Sequence, residues 1–440
     1  MSGAGRFILM TLVLVVPVLS GCTGEEGRGG HVNDASNDAN VALASPVRVE
    51  TPIGAIVAMT KGPFGSTTGV FLADQDGRIV AVDPSDRSTA WVARVMGAPV
   101  DIAHVSSSSG PRVAVFSHAS LVEAVASESR LGQLLGDAAE SGRRETPMAV
   151  VSLLDAETGE LVERKVMRSS RPVALSTGDV DKDGTDDLFL AHKTDEGRNV
   201  RITALSGRFT SEGAVSSFVP RGFGDPDVFW WFSLGGVLRE LEHRDQPDGP
   251  WLLVGTSAAL YMITWSGDRV HLLPEDAQDM TTTAKVTVVG GRNGLVAMDD
   301  RGALYWDVDL PAGPHRVAAG AGPDGPLLMA AWSGTDGSGV RFLRENGTEV
   351  ANNSLDLDAG KRLQVRPLDV DADGVDEWLV EATAEDGAAQ VLILNGKGDI
   401  LAEAGLPALD GPVVVMPGVE GPDLWLPGQG TLSVLSLVAA

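Results

Sequence analysis

Two stretches of the chain set carboxylates at every second position. Asp179-Val180-Asp181-Lys182-Asp183-Gly184-Thr185-Asp186-Asp187 and Asp369-Val370-Asp371-Ala372-Asp373-Gly374-Val375-Asp376-Glu377 both read D-x-D-x-D-G-x-x-(D/E). Alternating carboxylates, with a glycine to permit a sharp turn, converge hard oxygen atoms on one centre, which is the ligand chemistry of calcium. The expected ligands are the side chains of Asp179, Asp181, Asp183 and Asp187 in the first loop and of Asp369, Asp371, Asp373 and Glu377 in the second. The main-chain carbonyls of Thr185 and Val375 complete the two sets. Without a cation such carboxylates repel one another and hold their protons more tightly. Magnesium fits less well, because it keeps its waters and these loops offer many protein oxygens. An EF-hand is excluded: its twelfth position needs a bidentate glutamate, and here that position holds Leu190 and Val380. The residues that follow, 188–191 and 378–381, read as strand rather than helix.

Other chemistry is sparse. The seven histidines, at 31, 104, 118, 192, 243, 271 and 315, form no H-x-H or H-E-x-x-H pattern. No G-x-S-x-G elbow, phosphate-cradling loop or dinucleotide fingerprint is present. A catalytic pair cannot be chosen among 60 carboxylates by sequence, so no catalytic residue is assigned and a non-enzyme is expected. The aromatic run Phe229-Trp230-Trp231-Phe232, after Val228, does not alternate with polar residues. Some of its rings could stand in solvent and stack on sugars or anchor a protein; the alternative is a buried strand packed between sheets. Trp91, Trp265, Trp306, Trp332 and Trp378 each sit in a strand-like unit and read as core.

The N-terminal end carries its own signal. Arg6 precedes an apolar stretch, 7–19, broken only by Thr11 and Pro17, and Leu19-Ser20-Gly21-Cys22 follows. The stretch is short for a membrane span and suits a cleavable signal peptide, 1–21. Its last four residues resemble the bacterial lipoprotein lipobox, which implies lipidation of Cys22 and a new N-terminus there. Cys22 is the only cysteine, so no intramolecular disulfide can form. Residues 23–46 are rich in Gly, Asn, Asp, Ser and Ala and cannot bury enough surface to fold, so 22–46 is expected to be a lipidated flexible tether. Its r.m.s. reach is roughly 25 Å. A net charge of −26 excludes nucleic acid as a partner. The expected partners are a membrane, through the lipid anchor, and a protein or polysaccharide at the cell surface or periplasmic face.

From 47 to 440 short apolar stretches alternate with turns that begin on Asp or Asn and contain Gly. Examples are Asp74-Gln75-Asp76-Gly77, Asp155 to Gly159, Asp299-Asp300-Arg301-Gly302, Glu345-Asn346-Gly347 and Asn395-Gly396-Lys397-Gly398. Content of 53 glycines supports many turns. The two acidic loops start 190 residues apart (369 − 179), four units of about 47, a length that suits four-stranded blades. The expected fold is all-β: a β-propeller of seven or eight four-stranded blades, with eight the better division. The blades are placed at 53–96, 97–168, 169–220, 221–274, 275–313, 314–360, 361–409 and 410–440, with 47–50 returning as a closing strand. A pair of β-sandwiches or a mixed multidomain chain is the alternative. Two helical insertions are expected. One is near 119–140, from the spacing of Leu121, Val125, Leu131, Leu134 and Leu135, and a shorter one lies at 234–243.

The acidic loops, each followed by an apolar strand, resemble the FG-GAP (VCBS-type) repeats of integrin α propellers and of many bacterial surface proteins. That resemblance implies structural calcium between two strands of one blade. The units without acidic loops, such as 70–95, resemble quinoprotein-type propeller repeats found in outer-membrane assembly lipoproteins. That family's cofactor sites often use a vicinal cysteine pair, which this chain lacks. The expected function is a non-catalytic surface scaffold braced by two calcium ions. An outer-membrane assembly-type scaffold and an extracytoplasmic enzyme on the same fold are the alternatives.

Overall fold

The turn grammar is realised through side-chain acceptors. Asp74 receives the main-chain N–H groups of Asp76 and Arg78, each at 2.9 Å. Asp299 receives those of Arg301 and Ala303, and Asn395 those of Lys397 and Asp399. In all three the following glycine, Gly77, Gly302 or Gly398, takes a φ near +80°, which a residue with a Cβ adopts only under strain. Between such turns the central strands of each sheet are apolar on both faces, as in Arg78–Asp83, while outer strands alternate, as in Ser88–Arg94.

The computed structural model describes residues 41–439 except 121–146, 169, 195–198, 208–216, 219–226, 245–250, 265, 274–275, 300, 314, 336, 358–359, 361, 407, 410, 412, 419–420 and 429–430. The fold is an eight-bladed β-propeller of antiparallel four-stranded meanders. Blades 1 to 7 span 56–94, 98–168, 170–235, 238–273, 279–309, 315–354 and 362–406. Blade 8 combines Val414–Pro417, Pro422–Gly428 and Thr431–Ala439 with two segments from the start of the body, Val41–Leu43 and Val47–Val49. Both pair antiparallel with Thr431–Ala439, in the registers Val41↔Ala439 and Val47↔Val434. The closing strand is therefore present, and the ordered body starts before residue 47: Val41–Leu43 is strand, not tether. In blade 2, Ser217–Phe218 adds a short parallel strand beside Leu161–Arg168.

The first strand of each of blades 1 to 6 lies beside the first strand of the next, and that of blade 8 beside that of blade 1. Every seam between consecutive blades is filled by its own apolar cluster, including the one joining blade 8 to blade 1 through Trp425, Val434, Ile56 and Leu72. Three tryptophans tie outer strands to the next blade. Trp91 donates Nε1–H to Ala156 O at 2.8 Å, and Trp306 donates to Glu345 O at 2.9 Å. A Cβ on Gly159, Gly267 or Gly347 would fall within about 3 Å of the ring of Trp91, Trp230 or Trp306 respectively, so a bare backbone is what allows each ring to seat. Trp332 and Trp378 are core as expected; Trp265 lies outside the described residues.

Two expectations need correction. Residues 234–243 are not helical: Val228–Gly235 is the outer strand of blade 3 and Leu238–Arg244 the first strand of blade 4. Gly236, at φ 91°, turns the chain between them, so the third blade extends to 235 and the fourth does not begin at 221. The expected insertion near 119–140 lies outside the described residues beyond Ser120, where 119 and 120 finish a strand. Among the described residues there is no helix, and no helix long and apolar enough to cross a membrane.

Candidate metal centres

Each acidic loop joins the first strand of a blade to the second. The loop at 179–186 connects Ser170–Gly178 to Asp187–Thr194 in blade 3, and that at 369–376 connects Arg362–Leu368 to Glu377–Thr383 in blade 7. Three blades lie between them in either direction, so they stand on opposite sides of the ring. The two backbones repeat each other. Lys182 and Ala372 at position 4 both have φ 61°, and Gly184 and Gly374 at position 6 have φ 80° and 83°. Left-handed conformations at a lysine and an alanine are strained and persist only where the surroundings over-determine them.

Three of the four expected carboxylates converge in each loop, Asp183 and Glu377 not being among them. Oxygen atoms of Asp179, Asp181 and Asp187 lie within 4.8 Å of one another, as do those of Asp369, Asp371 and Asp373. The position-1 carboxylates also shape the turn, Asp179 receiving Gly184 N–H at 2.9 Å and Asp369 receiving Gly374 N–H at 3.1 Å. Asp183 and Asp373 accept the N–H of Thr185 and Val375. At position 9 Asp187 holds the N–H of Val180 and of Gly207, and Glu377 holds that of Val370. Burial, then the charges of Asp181 and Asp179, pushes the Asp187 carboxyl up to about 7. Burial, then the charge of Asp371, pushes Glu377 to about 7. Asp369 Oδ1 is buried with no hydrogen-bond partner. An all-oxygen donor set, clustered like charges and an orphaned acceptor together fit a hard divalent cation. The acidic turn of blade 1 is a useful contrast: there Asp74 is fully buried and the guanidinium of Arg78 meets its charge at 3.3 Å.

Position 8 of both loops carries a feature the sequence reading did not use. Asp186 Oδ2 accepts Ser106 N–H at 2.7 Å while Asp186 N–H donates to Ser106 O at 2.8 Å. Asp376 does the same with Ala321, at 2.5 and 2.8 Å. Ser106 and Ala321 lie where the first strand of the preceding blade turns back. At position 2, Val180 and Val370 are buried in the seams with the following blades. An aspartate recurring at position 8 in both loops was the available signal.

The aromatic run divides by face. Trp230 and Phe232 pack inward toward blade 4, with ring centroids 5.4 Å apart and Phe189 5.9 Å from Trp230. Phe229 and Trp231 are 39% and 38% exposed on the other face, and Arg201 lies over Trp231 at 4.6 Å. Trp230 and Phe232 are thus half-buried against this cluster, and Phe229 and Trp231 are the more exposed pair of the four candidate contacts.

The inner strands carry a second charged group. Glu240 and Glu242 share a face of Leu238–Arg244 in blade 4, and Asp279 opens the first strand of blade 5. Burial and then the charge of Asp279 push both glutamates to about 7, against the pull of Arg316 on Glu240 and Arg244 on Glu242. Burial raises Asp279 and Asp101 to about 6. Each of these aspartates accepts a main-chain N–H from the next blade, Val317 or Leu175, at 2.8 Å. Folded values above the ordinary 3.8 and 4.5 contribute stability that is full at low pH and is lost as pH rises from about 4 to 7. His192, lowered to about 3 by burial, acts oppositely as pH falls below 6.5. With six raised carboxyls, Asp187 and Glu377 included, against the two imidazoles of His192 and His104 that burial lowers, the calcium-free protein should denature at higher urea at pH 5.5 than at pH 8; an equal or lower midpoint at pH 5.5 would contradict these environments.

No protein-family model matches the chain, and no curated protein matches it significantly in sequence. Solved structures do match across nearly its whole length. BamB from Moraxella catarrhalis superposes with TM-score 0.51 at 15% identity, covering 90% of this chain and 99% of that one. BBS1N in complex with ARL6DN gives 0.50 at 14%, over 90% and 97%. Saccharomyces cerevisiae Sqt1 gives 0.57 at 10%, over 89% and 98%. At these identities the likeness is one of fold, and it establishes the chain as a β-propeller.

Proposed function

We propose that this chain is an exported, lipid-anchored propeller, braced by two calcium ions, that serves as a non-catalytic scaffold for a protein partner at the cell surface or periplasmic face. The observation that carries the binding role is the exposed pair Phe229 and Trp231, two residues apart on the outer strand of blade 3. Large rings held rigidly by a sheet bind with little loss of side-chain freedom, and aromatic and Arg side chains such as Arg201 are enriched at protein interfaces. BBS1N, a solved structure of similar fold, is in complex with another protein, ARL6DN, which is consistent with a ring that receives a protein. Polysaccharide stacking on the same rings is the second ligand class. The loop pattern, its orphaned acceptor and its resemblance to FG-GAP repeats support calcium, while the lipobox-like Leu19-Ser20-Gly21-Cys22 supports the anchor.

A photo-crosslinking residue at position 231, in cells making the full precursor, should give one discrete protein adduct that weakens in Phe229→Ser. Ile400, exposed on the outer strand of blade 7, is the matched control position. Adducts no different from those at 400 would remove this surface from consideration. Cys22→Ser should move the protein from the membrane fraction to the soluble one, and retention in the membrane would refute the anchor.

A further inference from the structure

Resting on the calcium reading above, we infer that Asp186 and Asp376 are positioning residues that convert each acidic loop into a clasp on the blade before it. A cation held in the loop therefore stiffens a turn to which it contributes no ligand. The geometry is reciprocal at both sites. The carboxylate of the position-8 aspartate takes the N–H of Ser106 or Ala321, and its own N–H returns to the carbonyl of that same residue. Two such bonds form a closed ring between main chains of different blades, 80 and 55 residues apart in sequence. Position 8 lies between the two expected ligands of the loop's end, the carbonyl of position 7 and the carboxylate of position 9. Any force that fixes 185 and 187, or 375 and 377, must fix the aspartate between them.

The surroundings leave the clasp little play. A Cβ on Gly320 would fall 2.7 Å from Asp376 Oδ2 and 2.7 Å from Pro367 Cβ. One on Gly207 would fall 1.9 Å from Asp186 O. On the other flank Val180 and Val370 are embedded in the seams toward blades 4 and 8. Each loop thus touches three blades, 2 to 4 or 6 to 8, and ion occupancy is coupled to the preceding blade through one main-chain hydrogen bond and one accepted by the position-8 carboxylate.

Hydrogen exchange on the mature chain, with calcium and with chelator, tests the inference. The amides of Gly184 and Gly374, bonded inside the loops, report the ion; those of Ser106 and Ala321 report the clasp. Calcium should slow exchange at all four by about tenfold or more, while the corresponding blade 1 turn around Gly65, which adjoins no acidic loop, stays unchanged. In Asp186→Ala the protection at Ser106 should vanish while that at Gly184 and at the whole blade 7 site persists. Gly320→Ala, which alters no carboxylate, should cut protection at Ala321 alone. Calcium protection at Gly184 and Gly374 without any at Ser106 and Ala321 in the unmutated chain would overturn the clasp and leave the calcium reading intact. No protection anywhere would overturn the calcium reading, and the clasp with it.

Discussion

Stripping calcium should lower the thermal midpoint of this protein, and Asp181→Ala together with Asp371→Ala should abolish that dependence. In the ion-free fold each loop holds carboxylates within 4.8 Å of one another, and its position-9 acid is pushed to about 7. A divalent cation converts that mutual repulsion into attraction. Binding to the folded state alone stabilises it by about 2.7 kcal/mol per site when free calcium exceeds Kd a hundredfold. The loops lie in blades 3 and 7 and share no partner, so the two contributions should add and each single variant should lose about half of the calcium-dependent shift. Differential scanning calorimetry with millimolar calcium against chelator measures this. Identical midpoints in the two conditions would sink both sites.

Lys165→Met is expected to destabilise the protein by about 3–5 kcal/mol, more than any surface change. Lys165 and Asp227 form an ion pair across the seam of blades 2 and 3, with side chains 2% and 1% exposed. Asp227 also fixes the chain through its carbonyl, which accepts Ser206 N–H at 2.7 Å just before the outer strand of blade 3 begins. Removing the cation takes the ion-pair partner from a carboxylate that is 1% exposed. Lys165→Met with Asp227→Leu removes both charges and should recover most of the loss, because an apolar pair has no desolvation penalty to offset. Urea denaturation decides it: a single variant within about 1 kcal/mol of the parent would show that the pair does not hold the seam.

What could be read from the sequence was whatever is settled within a few residues. An Asp or Asn that must accept N–H groups two and four positions ahead, followed by a glycine at positive φ, announces a hairpin wherever it stands. Such turns gave the blade count and most of the blade limits. The outer strand of blade 3 escaped because more than twenty residues part it from its hairpin partner, Asn199–Leu205, and because five bulky residues in a row conceal the alternation that the fold imposes. Only Gly235-Gly236 marked its end. The loops were legible as oxygen clusters, yet the task of Asp186 depends on Ser106, and the raised acids on inner strands depend on blades 4, 5 and 6 arriving at one place. No local pattern encodes such meetings.

The pairing of Val41 with Ala439 has a consequence for the order in which this protein can be made. A ribosome produces the two partners 398 residues apart (439 − 41). Blades 1 to 7 can stack as they emerge, each against its predecessor, but the ring stays a horseshoe until the final strand returns to the first. Meanwhile the apolar flanks of blades 1 and 7, with Leu72 and Val80 on one side and Val391 and Ile393 on the other, face water or a chaperone. A polypeptide that stops before residue 431 would lack Thr431–Ala439, the strand on which both early segments zip. Such a product should persist as an open, aggregation-prone arc, so that this one late strand governs the fate of the whole ring.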